Sequence, residues 1–193
     1  GSIDINASPT TNLLAVSEAK GVSVRDLTAV VLDRPRHDGL ISELREAGAR
    51  IRLIPDGDVA GAISTAWPNS GADILFGIGG TPEGVIAAAA LKCMGGDLQG
   101  RLWPRNDDER EAAVEEGYDL SQSLSIDDLV NSDNCFFAAT GITDGDLLQG
   151  VRYESNMAHT ESLVMRSKSG TVRLVIAQHV QDKLNAISDI DYK

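Results

Sequence analysis

The stretch TAVVLDRPRHDGLISELREAGARIRLI, residues 28–54, decides the fold class. Residues 28–33 are an apolar run closed by Asp33, the pattern of a buried strand. Residues 36–48 read as an amphipathic helix ended by Gly48, and residues 49–54 as the next strand. Strand, helix and strand joined by short connections make a βαβ unit with parallel strands and a right-handed crossover.

The unit repeats outward from there. DVAGAISTAW (58–67) reads as a helix, ADILFGI (72–78) as a third strand, and TPEGVIAAAALKCMG (81–95) as a helix of small residues. Upstream, SPTTNLLAVSEAKG predicts a helix capped by Thr10 or Thr11, striped by Leu13, Leu14 and Val16, and stopped by Gly21. Beyond residue 96 the alternation ends. RNDDEREAAVEEG (105–117) is a solvated helix or an excursion, and NCFFAAT (134–140) is a strand leading to an Asp144-Gly145 turn. Residues 161–180 predict a hairpin turned at Ser169-Gly170. The expected α/β chain has a parallel βαβαβα unit at 28–95, a variable excursion at 96–131 and a mixed-sheet region at 132–193.

Composition narrows the function classes. With 42% hydrophobic and 24% charged residues the chain is an ordinary globular one, and 4% aromatics leave its core to Ala, Val, Ile and Leu. A net charge of −12 argues against nucleic acid as partner. An anionic ligand would need local help from arginines, helix N-termini or a bridging cation. Cys93 and Cys135 form neither a disulfide framework nor a zinc spacing, and read as buried thiols. No apolar run reaches the ~20 residues of a membrane span, no signal peptide is visible, and a cytoplasmic location is expected. The opening GSIDINASP reads like a chain that begins in mid-protein.

In a parallel sheet, ligands bind beyond the carboxyl ends of the strands. Three turns are expected on that rim. Arg34-Pro35-Arg36 presents two guanidinium groups suited to phosphate, or simply two surface cations. Asp56-Gly57-Asp58 offers carboxylates to sugar hydroxyls, or is a turn with Asp58 as N-cap. GIGGTPEG (77–84) lacks the third glycine of a dinucleotide fingerprint and the Gly-Lys-Ser/Thr of a P-loop. In it Thr81 reads as N-cap, Pro82 as first helical residue and Glu83 as an acid favoured by the helix dipole. Gly79, Gly80 and Gly84 leave room for close approach to the backbone. A carboxylate over glycines, with arginines across the rim, suggests a divalent cation shared with phosphate. His37, His159 and His179 are scattered and read as surface or structural residues, and Asp144 or Asp146 either faces the same rim or is a plain turn residue.

Taken together, LDRPRHDGLI, RLIPDGDVAGAI, GIGGTPEGVIAAAALKCMGGDLQGRL, ATGITDGDLLQGVR and SGTVR resemble the class II fructose-1,6-bisphosphatases. These are lithium-sensitive, metal-dependent sugar phosphatases. The resemblance runs in order from about residue 3 to 180, weakest across WPRNDDEREAAVEEGYDLSQ. It implies the layered sugar-phosphatase fold and hydrolysis of the 1-phosphate of fructose 1,6-bisphosphate with Mn²⁺ or Mg²⁺. It further implies substrate contacts at Arg34, Pro35, Arg36, Asp56, Gly57, Asp58 and Gly80, and a metal ligand at Glu83. Many relatives have lysine where this chain has Arg34. Photosynthetic members also hydrolyse sedoheptulose 1,7-bisphosphate, and the opening of this chain is similar to theirs.

The chain looks like the C-terminal half of such an enzyme. The family's other metal carboxylates, its water-activating residue and a substrate-contacting tyrosine belong to an N-terminal half whose motifs are not found here. On this reading the chain carries no catalytic residue of its own and is inactive alone. It works with the N-terminal half, linked or separate, and the family tends to homodimers and homotetramers. The alternative is a non-catalytic module that holds a sugar phosphate or nucleotide at the same rim.

Overall fold

A three-stranded parallel sheet centres on β1 (Thr28–Leu32), flanked by β2 (Arg50–Ile54) and β3 (Ile74–Phe76). Its register pairs Thr28 with Arg50 through Leu32 with Ile54, and Ala29 with Ile74. The computed structural model describes residues 2–188; Gly1 and residues 189–193 lie outside it. The chain leaves β1 for β2 on one side, then returns across β1 to reach β3. Right-handed crossovers running in opposite directions place their helices on opposite faces.

The core follows from that arrangement. Ala29 and Val31 point to one face and pack with Leu13, Val16, Ile41 and Leu44 of α1 (Pro9–Lys20) and α2 (Asp38–Glu46). Val30 faces the other way, toward α3 (Asp58–Ala66). There Gly61 lets the helix press on the strands. A Cβ at that position would lie 2.8 Å from Leu75 Cδ1 and 3.0 Å from Ile54 Cδ1.

Beside α3 runs α4 (Thr81–Met94), with Ala87, Ala88, Ala90, Leu91 and Cys93 buried. Its small side chains let it fit between α3 and a second sheet. In that sheet β8 (Met157–Arg166) is central and antiparallel to all its neighbours. β6 (Phe136–Thr140) and β7 (Arg152–Glu154) share one of its sides, and β9 (Thr171–Val180) runs along the other. Ile63, Ala90, Cys93, Phe137, Leu148, Leu163 and Met165 fill the space between. The result is four layers: helices, parallel sheet, helices, antiparallel sheet. The remaining elements are a short pair, β4 (Gln99–Gly100) with β5 (Leu124–Ser125), and helices α5 (Asp107–Glu115), α6 (Ile126–Leu129) and α7 (Gln181–Ile187). None of the residues of α5 is buried, as its charge predicts. No helix among the described residues is long and apolar enough to cross a membrane.

Helices α3 and α4 start at Asp58 and Thr81 as expected, but the capping residues differ. Ser8, not Thr10 or Thr11, caps α1: its Oγ accepts from the Thr11 N–H at 3.1 Å, and Pro9 opens the helix. Leu14, expected in the buried stripe, is 57% exposed. Asn12 is buried instead, because its side chain accepts from the Asp4 N–H and donates to the carbonyls of Asp4 and Ser8. The N-caps of α3 and α4 are Gly57 and Gly80, each one residue before the cap expected. Asp58 and Thr81 already have their N–H groups inside the first helical turn, and Gly57, at φ 80°, supplies the left-handed bend that aspartate would resist. The hairpin is longer than expected, β8 beginning at Met157 rather than at 161.

Candidate functional site

All three parallel strands end on one edge, and the turns that leave them meet there. After β1, Arg34 is extended and Pro35–His37 form a single 3₁₀ turn. Arg34 Nη1 donates to the Asp33 carbonyl at 2.8 Å, which holds the side chain along the rim. Arg36 reaches across to the turn after β3, where Nε and Nη2 donate to the Ile78 carbonyl at 3.1 and 2.6 Å.

His37 completes that link. It is buried, with Nδ1 2.8 Å from the Leu32 carbonyl and Nε2 3.0 Å from the Ile78 nitrogen. A peptide N–H can only donate, so Nε2 accepts, and Nδ1 carries the proton and donates to Leu32. The sequence allowed His37 to be surface or structural; it is structural. Both peptide groups of Ile78 are thus gripped by consecutive residues of the first turn. No sequence motif marks this role, because it depends on β1 and β3 being neighbours while β2 intervenes in the chain.

Immediately after Ile78 come the glycines. A Cβ on Gly80 would overlap Glu83 Oε2, and one on Gly79 would lie 2.8 Å from Asp58 Oδ2. Glu83 therefore folds its carboxylate back over the Gly80 backbone, and Asp58 brings the second turn against the third. Asp58 also accepts from the Val59 N–H at 3.0 Å. The requirement for glycine expected at Gly79 and Gly80 is met by these carboxylates. Over Gly84 the space is open. Pro35, Arg36, Asp56, Gly57, Gly80 and Glu83 are all exposed, and Arg34 and Asp58 are half-buried.

The structure thus joins Arg36, Asp58, Gly80 and Glu83 around the β1–β3 crevice. That crevice is the switch point where the chain's crossovers diverge, the place where open α/β sheets bind ligands. Asp56 stands on the loop ahead of Gly57 without a hydrogen bond that ties it to the others. Asp144 belongs elsewhere: its Oδ1 accepts from the Gly150 N–H at 2.9 Å, inside its own loop. Asp146 lies 3.9 Å from Arg52. The plain-turn reading of Asp144 holds. A small hollow of about 90 Å³, lined by Gln149, Arg152, His159, Thr160, Glu161 and Ile176, contains none of the predicted site residues.

The rim supplies carboxylate oxygens, guanidinium donors and a helix N-terminus, a set suited to an anionic, hydroxyl-bearing ligand. Glu83 is a hard oxygen donor of the kind Mg²⁺ and Mn²⁺ accept. One carboxylate does not enclose either ion. Among the described residues, no group of three or more His, Cys, Asp or Glu side chains is placed to hold a metal.

Comparison with known proteins bears on this site. The family model described as bacterial fructose-1,6-bisphosphatase, glpX-encoded, matches residues 1–179. A fructose-1,6-bisphosphatase class 2 of Haemophilus influenzae is 42% identical over 203 aligned positions, covering 98% of this chain and 61% of the relative. The fructose-1,6-bisphosphatase 1 class 2 of Escherichia coli K12 is 41% identical, covering 95% of this chain and 58% of the relative. The chain therefore spans about three fifths of the length of the curated relatives it matches.

Proposed function

Because the chain belongs to the bacterial, glpX-encoded fructose-1,6-bisphosphatase family, we propose that it forms the sugar-phosphate-binding wall of a bisphosphatase site. The substrate is fructose 1,6-bisphosphate, the bond broken is that of its 1-phosphate, and the reaction depends on Mn²⁺ or Mg²⁺. The observation that carries this reading is the junction of Arg36, Asp58, Gly80 and Glu83 at the β1–β3 switch point.

In this proposal Arg34 and Arg36 face a phosphate, with Pro35 fixing their turn. Asp56, Gly57 and Asp58 receive the sugar hydroxyls, and the Gly80 backbone contacts the ligand beside the Glu83 carboxylate that lies over it. Glu83 is one of several ligands to the metal. A bound divalent ion would polarise the phosphoryl oxygens and lower the pKa of a bound water. Its other ligands and the water-activating group come from the remaining two fifths or so of the family's length, N-terminal to the part this chain matches. The assembled enzyme is a cytoplasmic homodimer or homotetramer.

Phosphate release from fructose 1,6-bisphosphate with Mn²⁺ tests this, with the chain joined to an N-terminal half from a family member. Turnover is expected for the joined protein and not for the chain alone. Glu83→Gln is expected to abolish metal-dependent turnover while circular dichroism stays unchanged. Full turnover in that variant would remove Glu83 from the metal site. Calorimetric binding of a nucleotide to the isolated chain, with no heat from fructose 1,6-bisphosphate, would favour a non-catalytic nucleotide module instead.

A further inference from the structure

Cys93 and Cys135 stand apart from everything assigned to the rim. Cys93 lies buried in the last turn of α4, and Cys135 is half-buried just ahead of β6. Their Sγ atoms are 3.9 Å apart, and the Cys135 thiol also lies 3.8 Å from the Ala89 carbonyl. Both thiols thus face the same seam between helix and sheet. A disulfide bond is about 2.0 Å long, so the two sulfurs need only approach each other by about 1.9 Å to bond. A groove of about 430 Å³, lined by Pro68, Cys93, Met94, Gly95, Ser167 and Val172, opens on the Cys93 side of the pair.

We propose that Cys93 and Cys135 form a reversible disulfide that fastens the end of α4 to the antiparallel sheet, made by exchange with a small-molecule disulfide. Cys135, the more accessible thiol, loses its proton and attacks one sulfur of the oxidant. The oxidant's S–S bond breaks, one half leaves as a thiolate, and a mixed disulfide remains on Cys135. Cys93 then gives up its proton, attacks Cys135 Sγ and expels the second half. Two protein thiols are oxidised by two electrons, the small disulfide is reduced to two thiols, and the two released protons end on them. This order fits the setting of Cys93. Burial and the neighbouring Cys135 push its thiol up to about 11, which suits the second attack at close range rather than the first from solution.

Closing residues 93–135 into a loop constrains the unfolded chain, so the oxidised form melts several degrees higher than the reduced one. The test is to incubate the native 193-residue chain with oxidised glutathione, quench in acid, and record intact mass and melting temperature. The expected product has lost two hydrogens, carries no glutathione, resists alkylation after unfolding, and returns to the dithiol with dithiothreitol. Cys93→Ser should instead trap one glutathione on Cys135, and Cys135→Ser should trap none. A wild-type chain that keeps a stable glutathione adduct, or two alkylatable thiols, under conditions that oxidise the urea-unfolded chain would overturn the proposal. Should Cys93→Ser not fold, the wild-type mass alone still decides.

Discussion

At the scale of single residues, His37 has the most consequence for its size. It is buried, and both ring nitrogens are occupied by backbone groups. His37→Ala removes those bonds, opens a cavity and strands the Ile78 N–H, for a cost of about 2–4 kcal/mol. Urea unfolding should show that loss as a lower midpoint. Gly80→Ala is a gentler test of the rim. Its methyl group would displace the Glu83 carboxylate, so metal-dependent turnover of the joined protein should fall tenfold or more while far-ultraviolet dichroism holds. Gly79 and Gly80 were legible in the sequence because glycine before a helix is a local signal. What crowds them was not, since Asp58 lies a crossover away in the chain.

Asp73 shows the same contrast at the scale of elements. It sits just ahead of β3, accepting from Lys20 Nζ at the end of α1 at 2.5 Å and from the Thr28 N–H at the start of β1 at 2.7 Å. Partial burial works against its charged form. The Lys20 ammonium and the Thr28 N–H outweigh that, with added attraction from Arg50, and hold the carboxyl below its ordinary value of 3.8. A carboxyl depressed by folding stabilises the fold above its unfolded value, and that contribution is lost as pH falls through the lower folded one. Asp73→Asn should cost about 1–2 kcal/mol at neutral pH, and the difference from wild type should shrink as both are acidified below pH 4. Thermal melts across that range measure it. Strands and helices here were readable from apolar runs and glycine stops to within a residue or two at most ends, and their capping residues were not. Gly57 and Gly80 take the capping place from Asp58 and Thr81 because the cap depends on backbone angles that residue type alone does not specify.

For the whole molecule, the parallel order of residues 28–95 followed from βα alternation. In the layer beyond it the β6 strand and the β8–β9 hairpin were legible, but β7 and the pairing of β6 with β8 were not, because β6 reaches β8 only through a long connection with no fixed period. The acidic surface, at net charge −12, has its own consequence. Fructose 1,6-bisphosphate is anionic, so raising salt should speed its association with the joined protein by screening repulsion. Stopped-flow binding at low and high ionic strength would register that sign. The position of α4, enclosed by α3 on one flank and the antiparallel sheet on the other, sets a gradient of amide hydrogen exchange along one helix. Amides from Ala87 to Leu91 should exchange only on global unfolding. Those of Thr81, Glu83 and Gly84, exposed or half-buried at the rim, should exchange through local fraying and become protected when ligand is added.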